Sequence, residues 1–575
     1  MLMFDKKNSD LRRMEGKRFT IDKAMTILCF ILLIIVAICP VGMIIYNACF
    51  DTVTHHLDLA LFKEVIFQKE NIGAIKNTLV IGVLVTLFAT LIGVFFAWLL
   101  ARSDIPMKGT MRWFFKIPFM IPPFLGAMAW DIMFSARGGY INKWLMSTFG
   151  FEKAPFNINS VAGIIFVETV YLFPFVYNQV VAALERMDPT LEESARIAGA
   201  KQLYVITHVT LPLVVPAIST GMLLILITSL NNYGIPSMIG FSARVYTLPT
   251  RIVERMEAAN GSFVGIRQAT ILSLLLIAVV GIALVFQNRL LNAGRYDIIK
   301  GKSMRPSLIK LRGAKYPLLV FSLIFLLAVV VAPLAMIVIT SFLKAYGLPI
   351  QFSNFSLKNY KEILLQNNTV ATAAKNSLFL GFSSGFICLF LGVMLSFVIH
   401  KVKPKGRGLL EFMAVLPYSL PGIVLAIGCI LAWSGAFGIN LYNTIWIILV
   451  AYAARYLSYT LKSCSASLQQ VHPSLEEASR MCGASRLQSL TDVTMPLIKP
   501  AMISSFFLVF LPAMRELTTS VLLVGPKSKT LGVTIYQYRT SGRIAPASAL
   551  SVITMVILMI CNGVITRITK DRKGI

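Results

Sequence analysis

Residues Leu191 to Pro212, LEESARIAGAKQLYVITHVTLP, recur at Leu475 to Pro496 as LEEASRMCGASRLQSLTDVTMP, and a single offset of 284 superimposes the two without a gap. Membrane segments repeat by composition alone, but these stretches are too polar to lie in a bilayer. A chain that repeats Glu, Glu, Arg, Gly and Pro in register outside the membrane folds as two like halves. It presents the same surface twice to a partner.

The rest of the chain is apolar. Its 575 residues are 56% hydrophobic and 14% charged, with a mean hydropathy of +0.74, too apolar for an ordinary soluble protein. The net charge of +28 does not point to nucleic acid, because the basic residues fall between apolar runs rather than interleaving with aromatics. Runs of the roughly 20 residues needed to cross a hydrocarbon core lie at Ala24–Tyr46, Thr78–Ala101, Trp113–Phe134, Val161–Leu184, Leu213–Ile235 and Ala269–Phe286. A second set lies at Tyr316–Phe342, Ser377–His400, Leu409–Trp433, Thr444–Ser463, Ala501–Leu523 and Pro546–Ile565. The expectation is an all-α polytopic membrane protein of about twelve transmembrane helices, with Trp113–Phe134 and Leu409–Trp433 broken by their prolines.

Lys and Arg cluster in alternate loops, which sets orientation. They occupy the N-terminal segment (Lys6, Lys7, Arg12, Arg13, Lys17, Arg18, Lys23), the central linker (Arg289, Arg295, Lys300, Lys302, Arg305, Lys310, Arg312, Lys315) and the tail (Arg567, Lys570, Arg572, Lys573). Both termini and both repeated loops are therefore expected in the cytoplasm. The first apolar run is too long for a cleavable signal and is read as a retained helix. The eight cysteines lack CxxC spacing and are read as free thiols, neither disulfides nor a metal site.

Two repeats of six spans follow, residues 1–291 and 314–575, joined by a basic Gly- and Pro-containing linker at 292–313. KNTLVIG from Lys76 is echoed by KNSLFLG from Lys375, and Pro118 and Pro122 by Pro417 and Pro421, at an offset of 299. Parallel repeats imply a pseudo-twofold axis along the membrane normal and a path between the halves.

Within the repeated loops, 187–212 and 471–496, Pro189 and Pro473 mark a helix start. Gly199 and Gly483 then permit a turn that a Cβ would resist. A second short helix is expected up to the Leu211-Pro212 and Met495-Pro496 steps, making a helix-turn-helix elbow. The spacing Glu193-Ser194-Ala195, Gly199, Val209-Thr210-Leu211-Pro212, matched by Glu477-Ala478-Ser479, Gly483, Val493 and Met495-Pro496, resembles the EAA loop of binding-protein-dependent ABC importer permeases. The resemblance implies the type I importer (MetI-like) transmembrane fold. It also implies that Glu192, Glu193, Gly199, Ala200, Glu476, Glu477, Gly483 and Ala484 couple to ATP-hydrolysing subunits.

No GxxxxGK[ST] occurs, so the chain is expected to bind no cofactor and to perform no catalysis itself. ATP and magnesium would belong to two copies of a separate ATPase. An extracytoplasmic binding protein would deliver cargo, which the halves would pass by alternating access. The fused layout, with Arg515-Glu516-Leu517 after the second elbow, is similar to ferric-iron permeases; 2-aminoethylphosphonate and thiamine permeases share it. Charges at membrane depth usually face a cavity or partner. Among Asp131, Glu168, Arg455, Arg515 and Glu516, the last two fall opposite Asn231 and Asn232 at the elbow offset, and these four are the candidate path residues. Glu168 and Arg455 are read as a possible structural pair. Five scattered histidines offer no metal set. The rival readings are an ion-coupled secondary transporter, which leaves the elbows unexplained, and a membrane enzyme, for which no acid, base or metal cluster exists.

Overall fold

A computed structural model describes residues 22–51, 55–115, 117–259, 262–293 and 308–570. The N-terminal basic residues up to Arg18, linker residues Arg295, Lys300, Lys302 and Arg305, and Arg572 and Lys573 lie outside them. Among the described residues the secondary structure is helical, with only isolated bridges. The main helices are α1 (Asp22–Cys49), α2 (Lys69–Arg102), α3 (Pro123–Phe134), α4 (Val161–Arg186), α5 (Pro189–Ile197), α6 (Gln202–Leu230), α7 (Leu248–Ala258) and α8 (Phe263–Ala293). There follow α9 (Arg312–Phe342), α10 (Asn368–Val402), α11 (Arg407–Ser419), α12 (Gly422–Trp433), α13 (Ile445–Gln470), α14 (Pro473–Met481), α15 (Leu490–Met514), α16 (Leu531–Thr540) and α17 (Ile544–Lys570).

Nine of these, among the described residues, are long and apolar enough to cross a membrane unbroken. The other three expected spans differ for physical reasons. Trp113–Phe134 is divided at Ile121 and Pro122, leaving the 12-residue α3. Leu409–Trp433 bends by 110° between α11 and α12 at Leu420-Pro421, because the ring of Pro421 forces the preceding residue out of helical geometry. Thr444–Ser463 lies in α13, long enough at 26 residues but made polar by Tyr452, Arg455, Tyr456, Tyr459 and Lys462. The expected Leu213–Ile235 span ends early, at Leu230, where Asn231 and Asn232 break the helix.

The chain divides into two compact units. In the unit of residues 58–363 and 538–555, α2, α4 and α6 pack as a trio, and the second part of α9 (Ala332–Phe342) packs on α3. In the unit of residues 22–57, 364–537 and 556–570, α10, α13 and α15 form the equivalent trio, and the second part of α1 (Cys39–Cys49) packs on α12. Each unit thus takes its first helix from the other sequence repeat. Small residues allow the approach: a Cβ on Gly428 of α12 would lie 2.7 Å from the Pro40 carbonyl oxygen of α1.

The KNTL and KNSL repeats form a clasp in each unit. Asn77 Nδ2 donates to the Tyr246 carbonyl at 2.9 Å, and Thr78 Oγ1 accepts from Leu248 N–H at 2.7 Å. Asn376 Nδ2 donates to the Lys529 carbonyl at 3.0 Å, and Ser377 Oγ accepts from Leu531 N–H at 2.9 Å. The paired polar residues cap the first turns of α7 and α16 and pin them to the long span helix. The described end of the linker is held likewise: Leu311 N–H donates to Asp104 at 2.9 Å and Lys315 Nζ lies 3.2 Å from it.

Candidate functional site

The elbow helices α5 and α14 are built alike. Pro189 and Pro473 occupy their first turns, and the residue before each proline accepts a backbone N–H: Asp188 from Thr190 at 2.9 Å and His472 Nδ1 from Ser474 at 3.3 Å. Each ends in a Schellman turn. Gly199 N–H donates to Arg196 and Ala200 N–H to Ala195, both at 3.0 Å; Gly483 donates to Arg480 at 3.0 Å and Ala484 to Ser479 at 3.2 Å. Gly199 and Gly483 take φ of +86° and +92°, a left-handed conformation that costs a residue with a Cβ.

The second arm departs from the sequence expectation. No separate short helix ends at the Leu-Pro step, since α6 runs continuously from Gln202 to Leu230 and α15 from Leu490 to Met514. A π-turn precedes each proline, at Ile206–Thr210 and Leu490–Thr494. The widened turn accommodates a ring that an ordinary helix would reject. The elbow is therefore one short helix and a glycine turn leading directly into a span helix.

The two glutamates of each loop divide their tasks. Glu192, 3% exposed, lies 3.4 Å from Arg102 at the end of α2 and accepts from Thr210 Oγ1 at 2.7 Å. Glu476 lies 2.8 Å from Lys401 at the end of α10 and accepts from Thr494 Oγ1 at 2.9 Å. Arg102 and Lys401 are equivalent at the 299 offset of the KNTL repeat. The first glutamate ties the elbow to the trio, and Glu193 and Glu477 remain at the surface, part-exposed and exposed. The second tie is shorter but more exposed: a cavity of about 470 Å³ opens beside it, lined by His400, Lys401, Glu476, Glu477 and Arg480. Beyond the ties, Ile197 and Met481 stand at equivalent positions, 87% and 89% exposed. The sequence offset could have singled out this apolar pair, but the helical pattern alone does not reveal its exposure.

The membrane-depth pairs also divide. Asn231 and Arg515 each cap the C-terminus of their span helix. Asn232 Oδ1 accepts from Ile235 N–H at 3.3 Å, and Glu516 Oε1 from Thr519 N–H at 2.9 Å, the same three-residue loop in both units. The second member of each pair thus closes the break in the chain. Asn231 Oδ1 is buried with no hydrogen-bond partner among the described residues. Glu168 and Arg455, read from sequence as a possible pair, each find partners inside their own unit. Glu168 accepts from Ser229, and Arg455 faces Glu516 and the Leu420 carbonyl. Asp131 is held by Arg539 and by Asn159 Nδ2 at 2.9 Å.

Two trios of span helices, each carrying an elbow of this build, define a transport permease, and comparison with known proteins gives its family. The model for "Binding-protein-dependent transport system inner membrane component" matches residues 89–294 and again 389–573. The chain belongs to this family of ABC importer permeases and is a multi-span membrane transport subunit. It is 25% identical over 572 residues to the ferric transport system permease protein FbpB of Actinobacillus pleuropneumoniae, covering 98% of this chain and 81% of that one. It is also 25% identical to the Fe(3+)-transport system permease protein FbpB 2 of Haemophilus influenzae, covering 84% and 88%. The PhnV permease of Salmonella typhimurium, provisionally assigned to 2-aminoethylphosphonate transport, is 28% identical over 41% of this chain and 88% of its own. A solved bacterial ABC transporter that imports the acidic polysaccharide alginate covers 44% of this chain at 20% identity, with a TM-score of 0.35.

Proposed function

We propose that the chain is the translocation subunit of an ATP-driven importer of ferric iron, its two elbows seating in two copies of a separate ATPase. The observation that carries the coupling role is the matched apolar tip, Ile197 and Met481, held out on a helix whose base is tied down by Glu192 and Glu476. An exposed large apolar residue at the end of a lever is a natural anchor for a partner's pocket. Glu193, Ala200, Glu477 and Ala484 flank it, and Gly199 and Gly483 set the lever's angle. ATP and magnesium belong to the partner, and closure of the ATPase pair draws the elbows together.

Cargo arrives from an extracytoplasmic binding protein and passes between repeats 1–291 and 314–575, with the 292–313 linker, both termini and both elbows in the cytoplasm. Asn231, Asn232, Arg515 and Glu516 mark the path. Ferric iron is supported by the relatives that match nearly the whole chain. A second reading, 2-aminoethylphosphonate, is supported by the PhnV match to one repeat.

The test is copurification of the ATPase with Ile197→Asp, Met481→Asp and the double variant. Each single change should weaken ATPase retention about tenfold, the loss of one buried apolar anchor, and the double change should abolish it. Wild-type retention by the double variant would end the coupling proposal.

A further inference from the structure

The cavity of about 470 Å³ at the base of the second elbow lies where three elements converge: the end of α10, the elbow helix α14 and the start of α15. Its volume is that of a small-molecule site. On its wall stands Ser489, the last residue of the short helix Arg486–Ser489 that leads into α15. Ser489 is 2% exposed, and its Oγ has no hydrogen-bond partner among the described residues. A hydroxyl withdrawn from bulk water on a cavity wall calls for an occupant that accepts from it.

The charges on the same wall give the occupant its sign. Lys401 and Glu476 face each other at 2.8 Å, and Glu476 also accepts from Thr494 Oγ1. Arg480 and Lys403 also line the cavity, both exposed, and neither forms an ion pair with a described residue. Glu477 is the one carboxylate set against these two cations. The surplus is positive. A hydroxyl, a guanidinium and an ammonium reaching in from three elements suit a tetrahedral oxyanion, whose several oxygens can each take a donor.

The first elbow places other groups at these positions. At the offset of 284, Ser489 corresponds to Val205, which is buried, and Arg480 to Arg196, which lies 3.7 Å from Glu192. At the offset of 299, Lys403 corresponds to Asp104, which accepts from Leu311 N–H at 2.9 Å. The lone hydroxyl and the two unpaired cations are therefore not demanded by the repeated fold.

We infer that Arg480, Lys403 and Ser489 bind a phosphoryl group, that of a soluble phosphate monoester or of a lipid headgroup, and that the bound group joins the second elbow to the end of α10. The inference rests on the reading of the elbows as coupling loops. On that reading the cavity faces the ATPase side, and its ligand adjusts one elbow of the two.

The full chain with its ATPase partner, in phosphatidylcholine nanodiscs, is titrated with glycerol 3-phosphate and with inorganic phosphate by calorimetry. Saturable binding of at least one probe is expected. Arg480→Gln should weaken it about tenfold, Arg480→Lys should recover part of the loss, and Ser489→Ala should weaken it about threefold. Without probe, Ser489→Ala should keep the wild-type thermal midpoint, because its hydroxyl has no partner to lose. Binding of neither probe would overturn the site. So would binding that both Arg480→Gln and Ser489→Ala leave unchanged, which would belong to the ATPase. Repeating the titration with phosphatidylglycerol in the nanodiscs separates the two sources: weakened glycerol 3-phosphate binding gives the site to lipid headgroups, and unchanged binding gives it to a soluble ligand. ATPase retention is read on the same samples: its absence from the wild type strikes the coupling reading, and its presence without probe binding strikes the phosphoryl site alone.

Discussion

Glu192 and Glu193 look interchangeable in the sequence, as do Glu476 and Glu477, yet only the first of each pair has a buried partner. Arg102 is 1% exposed, and its Nε and Nη2 have no hydrogen-bond partner among the described residues. Its charge depends on Glu192. Removing one member of a buried ion pair strands the other, at a cost of about 3–5 kcal/mol. Lys401 and Glu476, 15% and 22% exposed beside the cavity, can be rescued by water, and their loss should cost about 1 kcal/mol. Glu192→Ala should therefore lower the thermal midpoint of the detergent-solubilised chain much more than Glu476→Ala does. Glu193→Ala should leave that midpoint unchanged. Equal shifts for Glu192→Ala and Glu476→Ala would show that the first tie is no stronger than the second.

At the scale of elements, the short elbow helix and its glycine turn were legible because they depend on local chemistry: a proline in the first turn, and a glycine where φ must be positive. The Leu-Pro step was misread because a proline signals a helix boundary, and nothing local announces the π-turn that lets α6 and α15 continue through it. The KNTL and KNSL repeats were visible, but their purpose was not. Their partners at Tyr246, Leu248, Lys529 and Leu531 lie some 150 to 170 residues away along the chain. A test follows from the glycines. A Cβ at Gly199 or Gly483 would meet nothing within 4 Å, so any penalty comes from the backbone alone, roughly 1–2 kcal/mol for an ordinary residue. Gly199→Val and Gly483→Val should redirect the second arm and uncouple ATP hydrolysis from uptake. Gly199→Asn and Gly483→Asn, which tolerate the left-handed region, should retain most of the coupling. Valine variants that transport as well as the asparagine ones would show that the turn angle is unimportant.

At the scale of the molecule, the helices that each unit draws from the other repeat were beyond reach of the sequence, because an apolar run of about 20 residues carries no mark of which bundle it joins. In lipid there is no hydrophobic force to decide it, and close packing between small residues does so instead. Gly428 is a point of such close packing for α1: Pro40 carbonyl and Ile44 approach so closely that a Cβ would sit 2.7 and 2.9 Å from them. The exchange predicts how the chain behaves when cut between residues 300 and 301. Each fragment alone lacks one helix of its own bundle and strands another, so each should be degraded, while coexpression should restore both. Deleting α1 from the first fragment should then lower accumulation of the second, to which it contributes no sequence. Gly428→Leu in the uncut chain should reproduce that loss by forcing α1 off α12 with every segment still present. Independent accumulation of either fragment at its coexpressed level would mean that each repeat completes its own bundle.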